Sequence, residues 1–134
     1  MNAVAQLVVI LTGCYLVGLA LVAWFRPETA KRFLTAFAAT ASVHYLEMSV
    51  RLLVGGAFVL RSPFMPFTNA FSLLGWALVV TTVCLLVLPW AWHRRFAQSV
   101  VPPALDRLAW LAAPSFAAGC FVVACAAVGN DARW

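Results

Sequence analysis

The chain has 134 residues, 65% of them hydrophobic and 10% charged, with a formal charge of +5. Soluble domains are roughly 45–50% apolar, so this composition describes a membrane protein with no room for a soluble catalytic domain. The charge does not describe a nucleic-acid binder, because no Lys/Arg run interleaved with aromatics lies on a polar face. The basic residues instead flank apolar spans, where they set topology and meet anionic headgroups.

A helix needs about 20 apolar residues to cross a hydrocarbon core of about 30 Å at 1.5 Å per residue. Four stretches reach that length, which predicts one all-α membrane domain, a four-transmembrane-helix bundle, over residues 1–134. The first span covers residues 3–25 and ends at Arg26-Pro27. No Lys or Arg precedes its apolar core and no small-x-small site lies near Trp24, so it is expected to be a retained helix rather than a cleaved leader.

Residues 26–40 form a first basic elbow, carrying Arg26, Lys31 and Arg32. Pro27 followed by Glu28 suits a helix start, with proline at the first position and an acid at the positive dipole end. Phe33, Ala36, Phe37 and Thr40 fall on one side, so a short amphipathic interfacial helix is expected, its continuity with the second span left open.

The second span, residues 41–60, stops at Arg61-Ser62-Pro63, and Pro63 and Pro66 predict a short, stiff, extended link. Thr68 or Asn69 is the expected cap of the third span, residues 70–90. A second amphipathic basic elbow, residues 89–103, contains His93, Arg94 and Arg95. The fourth span, residues 104–129, includes Pro114, which frees the Trp110 carbonyl and predicts a kink. Its pairs Ser115/Gly119 and Ala113/Ala117 are four apart, a small-residue surface that lets helices approach closely.

Charge bias orients the bundle. Arg26, Lys31 and Arg32 lie in the first connection and Arg94, Arg95 and Arg107 in or beside the third, against Arg61 and Arg133 opposite. The positive-inside rule places both elbows in the cytoplasm and both termini outside. Trp24, Trp90, Trp92 and Trp110 then form an aromatic belt on the cytoplasmic side. The halves also align at an offset of about 62 to 63 residues, the mark of a duplicated, parallel-oriented hairpin, with chance similarity between apolar segments as the alternative. Gly13 matches Gly75, Lys31-Arg32-Phe33 matches Arg94-Arg95-Phe96, and Gly56-Ala57-Phe58-Val59 matches Gly119-Cys120-Phe121-Val122.

The candidate site is an intramembrane polar cluster in the second span. His44, Glu47 and Arg51 are spaced i, i+3 and i+7, so they share one face of a helix, and Glu47 precedes Arg51 in the favoured order for an intrahelical pair. Arg51 lies roughly 15 Å deep. A lone charge there costs about 2.5–3.5 kcal/mol, so the pair must face protein or water. Thr12, Tyr15, Thr81 and Thr82 lie at similar depth on neighbouring spans.

Two readings follow. Glu47 handles a proton or cation, with Arg51 adjusting it and His44 relaying toward the cytoplasm, or the pair fixes register and binds a partner's polar group. Haem sandwiched by His44 and His93, or a metal on His44 and Glu47, is a weaker alternative, and no cofactor or metal is expected. Cys14, Cys84, Cys120 and Cys125 all lie inside spans, form no Cys-x-x-Cys pair and read as packing residues. No GxSxG, HExxH, paired Asp or Ser-Lys arrangement is present, and Ser42, Ser49 and Ser115 have no base nearby except His44, so no catalytic residue is assigned.

His44-Tyr45-Leu46-Glu47, Arg51-Leu52-Leu53-Val54-Gly55, Leu74-Gly75-Trp76 and Pro89-Trp90-Ala91-Trp92-His93-Arg94-Arg95-Phe96 carry a resemblance. Together they resemble short uncharacterised bacterial inner-membrane proteins with a Pro-Trp-x-Trp-basic elbow. That resemblance implies an inner-membrane setting and carries over no functional residue.

The leading expectation is a non-enzymatic accessory, assembly or scaffold protein in contact with membrane lipid, with a homo-oligomer or a membrane-protein partner and without nucleic acid. The alternatives are a small oligomeric proton- or ion-coupled transporter or channel using Glu47, Arg51 and His44, and a quinone- or haem-associated redox subunit.

Overall fold

The computed structural model describes residues 2–36 and 40–131, the side chains at positions 2, 90, 93, 97, 101, 130 and 131 excepted. Six helices follow in order: α1 (Asn2–Phe25), α2 (Pro27–Ala36), α3 (Ala41–Arg61), α4 (Thr68–Val87), α5 (Trp90–Asp106) and α6 (Leu108–Asp131). Among the described residues there are no strands, and α1, α3, α4 and α6 are long and apolar enough to cross a membrane. The protein is an all-α bundle of four such helices. Phe37, expected on the interfacial face of the first elbow, and Arg133 lie outside the described residues, as do the side chains of Trp90 and His93.

The breaks between helices have local causes. Thr40 is extended (φ −135°, ψ 156°) and its side chain accepts the Val43 N–H at 3.4 Å, so α2 and α3 are separate helices and Thr40 caps the second. The link after α3 is not extended throughout. Ser62–Phe64 forms a 3₁₀ turn with Pro63 inside it, and Met65 after it returns to extended backbone.

Neither Thr68 nor Asn69 caps α4. The capping position is Phe67, in the left-handed region at φ 61°, and the Thr68 hydroxyl donates back to the Met65 carbonyl at 3.2 Å. The tight reversal after the 3₁₀ turn forces that conformation, and rings at Phe67 and Phe121, 5.7 Å apart, hold it. The second elbow also runs further than its prolines suggested. α5 continues through Pro102 and Pro103 to Asp106, and α6 begins at Leu108 after a one-residue break at Arg107 (φ −107°, ψ 22°).

Lipid removes the hydrophobic drive between spanning helices, so they associate where small side chains let backbones meet. α1 meets α6 at Gly13 and Gly119. A Cβ on Gly13 would lie 2.7 Å from Val123 Cγ2, and one on Gly119 would lie 2.8 Å from Val17 Cγ2. α3 meets α4 in the same way: a Cβ on Gly55 would lie 2.9 Å from Val79 Cγ2, and one on Gly75 would lie 2.8 Å from Val59 Cγ2.

Each contact therefore sets one Gly-x-x-x-Val against another. Gly13 and Val17 correspond to Gly75 and Val79, and Gly55 and Val59 to Gly119 and Val123. The structural equivalence falls one residue from the Gly56–Gly119 alignment, since Gly55 is buried at the seam while a Cβ on Gly56 would meet nothing within 4 Å. The first helix of each hairpin packs on the second helix of the other, so the halves are interleaved rather than side by side.

Two apolar clusters close the bundle. At the end holding the termini all four spans meet: Ala5 and Val9, Ala57 and Phe58, Phe71, and Val122, Cys125 and Ala126, with Met65 from the link. Phe71 stacks on both Phe58 and Phe121, with ring centroids 5.8 Å away in each case. Gly129 leaves no space for a Cβ against the Phe64 carbonyl, which seats the end of α6 on the link. At the elbow end the cluster is Ala20, Ala23, Ala30, Leu108 and Ala112, drawn from α1, α2 and α6 without α4.

Candidate intramembrane polar site

Helical spacing places Glu47 and Arg51 one turn apart on α3, and Arg51 is the middle residue of that 21-residue helix. Arg51 Nη1 lies 3.5 Å from Glu47 Oε1, a long contact for a charged pair. Glu47 is 26% and Arg51 34% exposed at the side chain, so the bundle covers the pair only in part. His44 is buried, and its ring meets the edge of Tyr45 at 5.5 Å. Met48, between His44 and Arg51, is fully buried.

Tyr15 of α1 lies within electrostatic range of Glu47, and its ring sits 6.5 Å from Phe33 of α2. The site thus adjoins α1. The other hydroxyls at this depth are engaged elsewhere: Thr12 donates to Val8 O at 2.8 Å, Thr81 to Ala77 O at 2.6 Å and Thr82 to Leu78 O at 2.6 Å. Each closes on its own helix, as hydroxyls in apolar surroundings do.

The basic residues separate into different environments. Arg26, Arg32, Arg94 and Arg95 are exposed, and Lys31 pairs with Glu28 at 3.2 Å. Trp24 Nε1 donates to Ala109 O at 3.1 Å and its ring lies 5.5 Å from Phe116, so it ties α1 to α6, whereas Trp92 and Trp110 project outward. Of the cysteines only Cys125 is in the core; Cys14, Cys84 and Cys120 are exposed, which corrects their reading as packing residues. Among the described residues no group of three His, Cys, Asp or Glu could hold a metal ion.

Arg61 is the residue that sequence reasoning missed. It counts in sequence as a loop charge at the end of a span, yet it is 1% exposed and among the largest fully buried side chains. Its guanidinium carbon lies 5.6 Å from the centre of the Phe64 ring, and it stands in the last turn of α3, where a cation suits the negative dipole end. The signal available in sequence was the Arg61-Ser62-Pro63-Phe64 spacing, which brings an aromatic ring back over the arginine.

Compared with family models, curated proteins and solved structures, the chain matches none.

Proposed function

We propose that the protein is a non-enzymatic accessory or assembly factor of a bacterial inner membrane, docking a second membrane protein against the Glu47–Arg51 flank of α3. The observation that carries this reading is the incomplete cover of a charged pair at the centre of a spanning helix. Hydrocarbon solvates neither member, and a charged pair with unfilled hydrogen-bonding capacity gains from a polar group on a neighbouring helix. The hydroxyls of Thr12, Thr81 and Thr82 donate to their own backbones, and this reading assigns the completing group to another chain.

Native mass spectrometry of the protein in lipid nanodiscs tests the proposal. A second polypeptide at fixed stoichiometry is expected with the wild type and lost with Glu47→Gln. The double change Glu47→Leu with Arg51→Leu restores the yield of folded protein without restoring the partner. A partner retained at full stoichiometry by Glu47→Gln sinks the reading.

The burial of His44 one turn from Glu47, with Tyr15 nearby, favours a second reading. In that reading a small oligomer moves protons or ions along Glu47, Arg51 and His44. It requires a pH-dependent flux in proteoliposomes that Glu47→Gln abolishes while the fold is kept.

A further inference from the structure

The two elbows are alike in sequence and unlike in setting. α2 is built into the bundle: Ala30 is fully buried in the cluster formed with α1 and α6, and Lys31 pairs with Glu28 on its exposed side. α5 has no such seat. From Ala91 to Pro103 every described side chain on it is exposed. Trp92, Phe96 and Val100 recur at every fourth position, and they are 67%, 65% and 45% exposed. At about 100° per residue they share an arc of about 80°; Arg94 and Gln98 stand on the far side, and Arg95 stands on the flank beside Trp92.

Large aromatics in a continuous exposed stripe mark a surface that something covers. Position decides what covers this one. α5 leaves α4 at Leu88-Pro89 and joins α6 at Arg107, so both its ends are fixed where spanning helices emerge from the bilayer. A helix tied there, apolar on one side and basic on the other, lies in the plane of the interface. Pro102 and Pro103 fit the same setting. They cannot donate to the carbonyls of Gln98 and Ser99, which water or headgroups satisfy and hydrocarbon does not.

We infer that α5 is an interfacial helix whose ligand is anionic phospholipid. Trp92, Phe96 and Val100 enter the acyl boundary, and Arg94 and Arg95 meet headgroup phosphates, which the guanidinium fork engages in two-point contacts. α2, its counterpart in sequence, is a structural elbow without this preference.

The test uses the full-length protein in a membrane of equal phosphatidylcholine and phosphatidylglycerol, with retained lipids counted by native mass spectrometry. The wild type retains phosphatidylglycerol in excess. Arg94→Gln with Arg95→Gln reduces that excess by about five-fold per arginine. Arg94→Lys with Arg95→Lys keeps most of it, and Lys31→Gln leaves it within about two-fold of wild type, because Lys31 is already paired with Glu28. Equal retention by the Arg94/Arg95 glutamine variant overturns the inference. So does an equal loss in the α2 variant, or the finding that the α5 arginines release a bound polypeptide instead of lipid.

Discussion

Gly13 and Gly119 meet across α1 and α6 so closely that a Cβ on Gly119 would lie 2.7 Å from the Gly13 carbonyl oxygen. Gly75 stands in the same relation to Gly55, with 2.8 Å between the corresponding positions. In lipid such backbone approach supplies the attraction that hydrophobic burial supplies in water, through van der Waals contact and weak Cα–H···O bonds. These two crossings hold the interleaved halves together.

Alanine at Gly75 or Gly119 therefore forces helices apart. The added methyl meets backbone nitrogen, Val59 N at 2.8 Å or Val17 N at 2.9 Å, which has no rotamer by which to yield. Each substitution is expected to destabilise by about 1–3 kcal/mol. Gly56→Ala meets nothing within 4 Å and is expected to be neutral or stabilising by up to about 1 kcal/mol through helix propensity. Steric-trapping unfolding in bicelles measures all three. An equal loss at Gly56 would place the seam elsewhere.

Removing one charge of the α3 pair differs from removing both. Glu47→Gln leaves the Arg51 guanidinium at mid-helix without its carboxylate, and a loss of about 3–5 kcal/mol is expected where the pair is fully enclosed. The 26% and 34% exposure of the pair lowers the expectation to about 1–3 kcal/mol. Glu47→Leu with Arg51→Leu should recover folded yield to near wild type. If the single and double variants fall together, the loss comes from contacts other than the pairing of charge.

The spans and the His44–Glu47–Arg51 face were legible in the sequence, because both follow from periodicity and length alone. Finer features depend on which neighbour a helix meets. Gly55 and Gly56 are adjacent glycines with equal claims in sequence, and only the approach of α4 selects Gly55 for the seam. The left-handed Phe67 had no glycine or asparagine to announce it, since tertiary contact with Phe121 holds a conformation that local preference disfavours. Arg61 read as a topological charge because burial depends on the turn that folds Phe64 over it. The elbows were recognised as a basic pair, but their difference arises from packing: Ala30 reaches α1 and α6, while the described side chains of α5 from Ala91 to Pro103 stay exposed.

Thr82 separates a transport path from a closed seam. It is fully buried, and its hydroxyl donates to Leu78 O of its own helix at 2.6 Å. Because that bond leaves the Leu78 carbonyl adequately paired within the helix when it is removed, Thr82→Val is expected to change stability by less than about 1 kcal/mol. Partner retention should not change either. A loss of pH-dependent flux with the fold intact would instead assign Thr82 to a polar path and favour the transport reading.

Arg61 supports the end of the bundle where all four spans meet. Its guanidinium sits over Phe64 at the C-terminal turn of α3, next to the link that carries Met65 into the four-helix cluster. Arg61→Gln removes the cation from the dipole end and from the ring face, two effects that together are expected to cost about 1–3 kcal/mol. Arg61→Lys keeps the dipole interaction and loses the planar contact, so it should recover about half of that loss. The effect is confined to stability: once folded in nanodiscs, the Arg61→Gln protein should retain any Glu47-dependent partner at wild-type stoichiometry, because Glu47 stands about 21 Å from Arg61 along the axis of α3. Parallel unfolding and mass measurements on both variants check this, and a partner lost from folded Arg61→Gln would move the docking surface toward the turn at Ser62–Phe64.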